Sequence, residues 1–417
     1  MDKLTRYIEC YINTQTCNLR CHYCYITQNR LFNNKILKLS HTPEEIKKAF
    51  SKERLGGCCL INLCAGGETL ISDDVIDATR AFLENGHYVT LVTNGTLTKQ
   101  LQKFCDFPKS LQKHLFFKFS FHYLEFKRIN FLDVFAKNVN MIANTECSFT
   151  VEITPSDELI PYIKEIKEFS LKNFGALPHI TVARDERTNG INHLSNSSWE
   201  EYKKIWEPFD SELFRTKTQL FYVKRKEFCY AGEYSIYVDL ESGHINQCYC
   251  GKGLGNIYET DKPISFQAIG CNCSFPHCYN GHSFLVLGDM PELKLKTYLE
   301  LRDRKTKDGK HWVKKDVANI FTQRLYENNK QYSEDKKALV ELDNKFLQLQ
   351  KENECLKNKT QDLENKLNES ISENNKILNE KQNIQNEKDA ILNSASYKIT
   401  KPFRFAKKVA KKILRRN

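Results

Sequence analysis

Three cysteines near the start of the chain carry the clearest chemical signal. Cys17, Cys21 and Cys24 follow the spacing C-x3-C-x2-C, directly after an apolar run from Tyr7 to Ile12 that is typical of a β-strand. Soft thiolate ligands select zinc or iron–sulfur clusters. A structural zinc site uses four ligands, whereas three cysteines without a nearby fourth leave one iron of a [4Fe–4S] cluster open for a small molecule. The loop therefore predicts an iron–sulfur site, with half of a zinc site as the alternative.

Short motifs follow the next strand-like runs. Gly66-Gly67-Glu68 follows the second run, and Thr93-Asn94-Gly95 follows the third. Two glycines let the backbone approach a ligand closely, and the carboxylate of Glu68 can pair with the ammonium group of an amino-acid cofactor. In parallel α/β folds the chemistry gathers at the carboxyl ends of the strands, and these motifs lie there.

The cysteine spacing, with the aromatic Tyr23 before the third cysteine, resembles that of the radical S-adenosylmethionine (radical SAM) superfamily. The resemblance implies that Cys17, Cys21 and Cys24 hold a [4Fe–4S] cluster. It also implies that Glu68 belongs to the motif that holds the methionine amino group. Thr69 stands where the family usually has proline. The residues that the resemblance assigns to cofactor binding are Tyr23, Gly66, Gly67, Glu68, Thr93, Asn94 and Ser120.

The chemistry implied by the resemblance is reductive cleavage of S-adenosylmethionine. A reduced cluster delivers one electron to the sulfonium, and the resulting 5′-deoxyadenosyl radical abstracts a hydrogen from substrate. The protein positions the reactants and excludes water. Such an enzyme needs an electron donor such as flavodoxin or ferredoxin.

Four further residues are candidates for substrate contacts. His122 and Tyr123 end the fourth strand-like run and are expected at the mouth of the sheet. Glu152 lies in the fifth, where an unpaired buried carboxylate is costly. Arg184 ends the sixth and is a candidate partner of Glu152 or a carboxylate anchor.

The fold class expected for residues 1–190 is α/β, because six strand-like runs alternate with helical patterns and imply a parallel sheet. The pattern fits either an open doubly wound sheet or a partial barrel, and the resemblance favours a partial (β/α)6 TIM-type barrel. The expected strands are Tyr7–Ile12, Cys59–Cys64, Tyr88–Thr93, Phe116–Phe121, Phe149–Thr154 and His179–Arg184.

A second group of cysteines lies in residues 229–290, which are expected to form a small cysteine-rich α+β domain. Cys229 is followed by Gly243 and Cys248 in the spacing C-x13-G-x4-C, which resembles the opening of auxiliary-cluster domains called SPASM or twitch. The resemblance implies one auxiliary iron–sulfur cluster held by four of six cysteines, and a zinc ribbon is the alternative. The candidate ligands are Cys229, Cys248, Cys271, Cys273 and Cys278.

The remaining segments are a helical linker at 191–228, a linker at 291–329, a coiled coil at 330–395 and a basic amphipathic tail at 396–417. Apolar residues recur every seven positions from Leu342 to Ile391, with Ser370 as the one exception, which predicts a coiled-coil homodimer. A single long surface helix is the alternative.

The tail holds nine of the chain's Lys and Arg residues between Lys398 and Asn417 and no acid, so most of the net charge of +11 is local. The segment Ser394–Arg404 resembles one near the ends of bacterial cell-surface glycosyltransferases. A basic amphipathic helix favours an anionic membrane surface, and nucleic acid is not an expected partner.

Sixteen cysteines that fall mostly in two clusters fit metal binding in a reducing cytosol better than secretion. The N-terminus lacks a signal peptide's apolar core. We therefore expect a cytoplasmic protein at the inner face of the membrane. The leading hypothesis is a radical SAM enzyme acting on a small molecule, sugar precursor or cell-surface glycan. A peptide- or protein-modifying maturase and a non-catalytic coiled-coil iron–sulfur scaffold are the alternatives.

Overall fold

The structure, a computed structural model, describes residues 2–415. Arg416 and Asn417, which the expected basic tail includes, lie outside the described residues. The chain divides into two compact units, one extending to Glu341 and the other beginning at Leu342. Each unit is described by itself below.

Eleven strands are present in the described residues. They are β1 (Leu4–Ile12), β2 (Cys58–Ala65), β3 (Tyr88–Thr93), β4 (Leu115–Ser120), β5 (Ser148–Ile153), β6 (His179–Ile180), β7 (Arg184–Asp185), β8 (Asn192–His193), β9 (Ser235–Asp239), β10 (His244–Asn246) and β11 (Gly253–Asn256).

The helices up to the cysteine-rich region lie mostly between these strands. They are α1 (Tyr25–Gln28), α2 (Pro43–Ala49), α3 (Lys52–Leu55), α4 (Asp74–Glu84), α5 (Thr98–Cys105), α6 (Lys109–Gln112), α7 (Tyr123–Arg128), α8 (Leu132–Ala143), α9 (Ile163–Phe174), α10 (Trp199–Trp206) and α11 (Glu212–Leu220). Short 3-10 helices span Thr69–Ile71, Asp157–Tyr162 and Glu207–Phe209.

The later helices follow the cysteine-rich region. They are α12 (Phe284–Leu287), α13 (Tyr298–Arg302), α14 (Lys315–Phe321), α15 (Leu325–Asn328), α16 (Glu334–Asn393) and α17 (Ala395–Ile413).

The main sheet has nine strands in the order β11-β10-β9-β1-β2-β3-β4-β5-β6. Strands β1 to β6 pair in parallel with their neighbours in chain order, as β-α alternation dictates. This is a mixed α/β fold with a parallel sheet, consistent with a six-stranded partial barrel. All of its parallel strands present their carboxyl ends at the same edge.

The hairpin β9–β10 belongs to the cysteine-rich region. Strand β9 pairs in parallel with the free edge of β1, with Tyr7 opposite Ser235 and Tyr11 opposite Asp239. Strand β10 then returns antiparallel to β9. This hairpin therefore continues the main sheet.

Alternate residues of each strand face opposite sides of the sheet. One side packs against the helices of the β-α units, and Ile8, Ile61 and Phe117 belong to that apolar cluster. The opposite parity contributes Tyr7 and Phe116 to a second cluster, which is completed by residues of α12, α13 and α14. The interior of the barrel is thus closed at one end by the chain that follows the cysteine-rich region.

Two expectations need correction here. The region 291–329 is not a linker, because Tyr298, Leu301 and Phe321 are fully buried in this second cluster. The sixth strand ends at Ile180 and not at Arg184. The chain leaves the sheet there because the amide of Ala183 donates to the hydroxyl of Tyr202 instead of to a strand.

The second unit consists of most of α16 and the whole of α17. Helix α16 runs for 60 residues from Glu334 to Asn393. Its heptad positions from Leu342 onward are solvent-exposed, with Leu349 55% and Leu363 66% exposed. Helix α17 begins after the N-cap Ser394, whose hydroxyl accepts from the amide of Tyr397.

Among residues 2–415 no helix combines the length and apolarity that crossing a bilayer requires.

Candidate active site

A cavity of about 140 Å³ opens where the carboxyl ends of β1 to β4 meet. It gathers the cysteine loop, the two motifs that follow β2 and β3, and the end of β4. The predicted residues that line it are Cys17, Cys21, Cys24, Gly66, Gly67, Glu68, Thr93, Asn94, Ser120 and His122. Separate segments of the sequence therefore converge on one site.

The cysteine loop is fixed by polar contacts with the loop after β3. The side-chain amide of Asn94 donates to the side-chain oxygen of Asn18 at 2.8 Å, and the side-chain amide of Asn18 donates to the Thr96 hydroxyl at 2.7 Å. Burial raises the pKa of the three thiols, that of Cys17 to about 11. The thiols are therefore protonated at neutral pH unless a metal replaces the proton.

The two glycines serve the packing of this loop. A Cβ atom on Gly67 would lie 1.9 Å from the carbonyl oxygen of Thr16, and one on Gly66 would lie 2.4 Å from that of Thr14. The amide of Glu68 donates to the same Thr16 carbonyl at 3.0 Å. The glycines thus let the segment after β2 lie directly against the cysteine loop. From the sequence, this close approach was expected to be to a ligand.

Glu68 is 2% exposed and is held in one orientation by three donors. Its Oε1 accepts from the Thr93 hydroxyl at 2.6 Å and from the Leu70 amide at 3.0 Å, and its Oε2 accepts from the Asn94 amide at 2.8 Å. No Lys, Arg or His of the described chain forms an ion pair with it. Burial raises its pKa despite these hydrogen bonds, so a bound cation would stabilise the carboxylate.

The donor set of the cavity fits the expected cofactors. Three thiols suit iron, and the buried Glu68 lacks a counter-cation but keeps an acceptor position on Oε2 for an ammonium group. Thr93 and Asn94 act on Glu68 through the contacts above.

Tyr23 and His122 form a pair at the rim of the cavity. The Tyr23 hydroxyl lies 2.6 Å from Nδ1 of His122, and the rings stack with centroids 5.9 Å apart. Burial lowers the pKa of His122 to about 4. Nδ1 of the neutral ring therefore accepts a hydrogen bond from the Tyr23 hydroxyl.

Tyr123 and Arg184, two of the residues expected to contact substrate, have other neighbours than the sequence predicted. Tyr123 is 1% exposed and packs on the helix side of the sheet against Phe121. It therefore does not reach the mouth of the barrel. Arg184 pairs with Glu186 at 2.6 Å and not with Glu152.

The partner of Glu152 is Arg302 of α13. Sequence reasoning missed this residue, because it lies in the region read as a linker. A carboxylate in the otherwise apolar strand β5 indicates that a cation lies nearby, but nothing in the sequence identifies that cation.

The second cysteine group lines a small, separate cavity of about 30 Å³. The sulfurs of Cys248 and Cys250 are 3.3 Å apart, and those of Cys250 and Cys273 are 3.7 Å apart. The cysteines that line the cavity are Cys229, Cys248, Cys250, Cys273 and Cys278. Within residues 2–415 no three His, Cys, Asp or Glu side chains are close enough to hold a single metal ion.

Cys271 is not brought to this cavity. Its thiol does not line the cavity, and its backbone amide donates to the Glu341 carboxylate at 2.6 Å. The sequence placed Cys271 among the candidate ligands and omitted Cys250, which the structure brings to the group. The C-x-C pairs Cys248/Cys250 and Cys271/Cys273 look alike in sequence, and only the local fold distinguishes their members.

Comparison with known proteins agrees with the site. The model of the Radical SAM superfamily matches residues 11–117. A 7-carboxy-7-deazaguanine synthase of Aquifex aeolicus (strain VF5) is 26% identical over 164 residues, which are 38% of this chain and 65% of that protein. The chain thus spans a little less than two thirds of this curated relative.

Solved structures with a similar fold include Streptococcus suis SuiB bound to S-adenosylmethionine, with a TM-score of 0.42, 12% identity and coverage of 63% of this chain and 67% of that one. Another is anSMEcpe with bound AdoMet and Cp18Cys peptide, with a TM-score of 0.44, 14% identity and coverage of 71% and 88%. Residues 11–117 thus carry a Radical SAM domain, and enzymes with this domain use a [4Fe–4S] cluster and S-adenosylmethionine as cofactors.

Proposed function

We propose that the chain binds a [4Fe–4S] cluster through Cys17, Cys21 and Cys24 and uses S-adenosylmethionine to abstract a hydrogen from a substrate in the barrel. The observation that carries the proposal is the convergence of the three thiols and Glu68 on one cavity. When bound, the two cofactors supply one-electron reductive cleavage of a carbon–sulfur bond, the source of the 5′-deoxyadenosyl radical.

The chain's own residues position the reactants. Glu68, oriented by Thr93 and the Asn94 amide, offers its remaining acceptor position to the methionine amino group. The Asn94–Asn18 contact holds the cysteine loop at the cavity wall. The Tyr23–His122 pair borders the site, and the neutral ring of His122 adds no positive charge there.

Anaerobic reconstitution followed by reduction tests this proposal. The wild-type chain should convert S-adenosylmethionine to 5′-deoxyadenosine, and Cys17→Ala, Cys21→Ala and Cys24→Ala should each abolish the conversion. Cys105→Ala is the matched control, because Cys105 lies in α5 outside the cavity. Reduced wild-type protein with full iron content that forms no 5′-deoxyadenosine would refute the proposal.

We further propose that four of the five thiols in the second cavity hold an auxiliary iron–sulfur cluster. Their shared cavity and short sulfur–sulfur distances support it. Such a cluster can accept an electron from a substrate radical, which suits net oxidation. Metal analysis decides the alternative: about four irons beyond the first cluster support the proposal, and zinc in their place would overturn it.

For the substrate, we propose a sugar precursor or cell-surface glycan at the inner membrane face, on the basis of the glycosyltransferase-like tail. The support is that α17 exposes Phe403, Val409 and Ile413 to solvent next to its lysines and arginines. Deleting residues 394–417 should release the protein from vesicles rich in anionic lipid, whereas unchanged binding would contradict the anchor. An electron donor such as flavodoxin or ferredoxin completes the system.

We also propose a homodimer through α16. Its leucines and isoleucines at seven-residue spacing lie on the surface of the single chain, where pairing with a second copy would bury them.

A further inference from the structure

A polar layer lies inside the barrel, deeper than the cofactor cavity. On β4, Lys118 precedes Ser120 by two residues and therefore faces the same side of the sheet. Ser120 lines the cavity beside the cysteine loop. At about 3.3 Å per residue, Lys118 lies roughly 7 Å further into the barrel. Below it, Phe116 belongs to the apolar cluster that closes the barrel.

Lys118 has no ion-pair partner, although its positive charge acts to lower the pKa of Glu9 and of Glu152. It is 9% exposed, and none of the described residues forms a hydrogen bond or an ion pair with its ammonium group. Its neighbours in register on β5 and β3 are Thr150 and Val92. The Thr150 hydroxyl is itself buried without a hydrogen-bond partner. Buried polar groups normally have partners, so this part of the barrel has unused binding capacity.

Lys217 reaches the same layer from α11. Its ammonium group donates to the hydroxyl of Thr181, and no carboxylate of the described chain lies within ion-pair distance. Burial and the nearby cation of Arg184 lower its pKa well below the ordinary value, although Glu152 opposes the shift. A lysine in this setting gains stability from an added negative charge.

The carboxylates of the layer are already engaged. Glu152 is paired with Arg302, and Glu186 is paired with Arg184. Glu9 accepts hydrogen bonds from the Tyr7 hydroxyl and from the side-chain amides of two asparagines, Asn62 and Asn280.

The cations of this layer also act together on one histidine. The charges of Lys217, Arg302, Lys118 and Arg184 all lower the pKa of His282, after burial itself. Four cations therefore face three carboxylates, which leaves one positive charge of the layer unbalanced and both lysines without an ion pair.

We infer that this layer is a subsite for an anionic group of the substrate, a carboxylate or a phosphate, bound between Lys118 and Lys217. This inference rests on the proposed function, because it assumes that the substrate enters the barrel beneath the cofactor cavity. Two ammonium groups without ion-pair partners can bind one oxyanion through charge-assisted hydrogen bonds. The anion would hold the rest of the substrate toward Ser120 and the cysteine loop.

Calorimetric titration of the reconstituted full-length protein, without S-adenosylmethionine or reductant, tests the subsite. The probes are inorganic phosphate and malonate, used separately. One site per chain is expected, and the tighter of the two probes identifies the class of anion. Lys118→Met and Lys217→Met should each weaken binding at least about tenfold, as loss of a charged hydrogen bond implies.

Two further variants serve as controls for these binding measurements. Lys118→Arg keeps the charge and should bind within a few-fold of wild type, so a folding defect is separated from a lost contact. Lys172→Met removes an exposed lysine of α9 and should change nothing. Wild-type binding no tighter than that of the Lys118→Met/Lys217→Met double variant would overturn the inference.

Failure of the subsite and failure of the proposed function give different results. Protein that binds the anion but never cleaves S-adenosylmethionine would refute the proposed function and leave the subsite standing. Protein that forms 5′-deoxyadenosine but binds neither probe would refute the subsite alone.

Discussion

The guanidinium of Arg302 donates a hydrogen bond of 2.5 Å to the carboxylate of Glu152, 150 positions earlier in the chain. Arg302 is fully buried, and the Glu152 side chain is 15% exposed. The pair ties α13, within the segment that closes the barrel, to strand β5. It also explains how a carboxylate persists inside the barrel, because a buried charge without a partner is costly.

Removing Arg302 should therefore destabilise the fold strongly. We expect Arg302→Met to lower the free energy of unfolding by about 3–5 kcal/mol, since Glu152 would be left buried and unpaired. The double variant Glu152→Gln/Arg302→Met should recover most of this loss. Urea unfolding measures both. Arg187→Met is the control, because its pair with Asp185 is on the surface and should contribute less than about 1 kcal/mol. Equal effects of the two arginine substitutions would contradict this account.

Glu68→Gln should weaken S-adenosylmethionine binding by at least about tenfold. The amide can still accept from Thr93, but it cannot neutralise an ammonium group in a buried site. Equilibrium dialysis with the reconstituted protein measures the affinity, and iron content should stay unchanged. Glu53→Gln alters an exposed glutamate of α3 and serves as the control. Unaltered affinity in Glu68→Gln would remove Glu68 from the cofactor site.

Cys271 and Cys273 differ by only two positions but should differ in iron binding. Cys273 lines the second cavity and Cys271 does not. We expect Cys273→Ser to lower the auxiliary iron content by up to about four atoms per chain. Cys271→Ser should leave the iron content at the wild-type level. Because five thiols line the cavity, Cys250 can substitute partly, so Cys250→Ser/Cys273→Ser should lose the auxiliary iron fully. Iron loss in Cys271→Ser alone would contradict the structure here.

Charged residues on the heptad positions of α16 should prevent dimer formation. Leu356→Asp/Leu363→Asp places two carboxylates where pairing would bury leucines, so light scattering should report a monomer where the wild type is a dimer. Asn358→Asp/Asn365→Asp adds the same charge outside these positions and should leave the dimer intact. A monomeric wild-type chain would mean that α16 is a single surface helix.

His87 should make the fold sensitive to acid. The Cys59 amide donates to its Nδ1 at 3.1 Å, its Nε2 donates to the Phe50 carbonyl at 2.7 Å, and burial lowers its pKa to about 4. The unfolded chain, with a histidine pKa of about 6.5, binds more protons between pH 6.5 and 4. Stability should therefore fall as the pH drops through this window, by up to about 3 kcal/mol.

The variant His87→Gln tests the assignment, because glutamine keeps a donor and an acceptor but does not titrate. The difference in unfolding free energy between wild type and variant should be largest near pH 7 and should shrink toward pH 4. A difference that stays constant across this range would show that His87 is not the titrating group.

The sequence by itself determined the parts whose signals are local. The C-x3-C-x2-C spacing, the Gly66-Gly67-Glu68 motif and the alternation of strands and helices are all read within short windows. Parallel pairing then requires the ends of neighbouring strands to share an edge. Strand β3 has the expected bounds, and one long helix, α16, covers most of the segment for which a coiled coil or a single long surface helix was predicted. For these features the pattern of apolar residues and turn residues was sufficient.

Only the tertiary structure decided which distant side chains meet. Arg302 pairs with Glu152, Asn18 with Asn94, and Cys250 joins the second cavity in place of Cys271. The two lysines of the barrel that lack an ion pair likewise come from β4 and α11. A charge can be satisfied by any opposite charge that the fold brings within a few ångströms. Sequence spacing carries no information on that choice, because the closing segment and the sheet meet only after long-range packing.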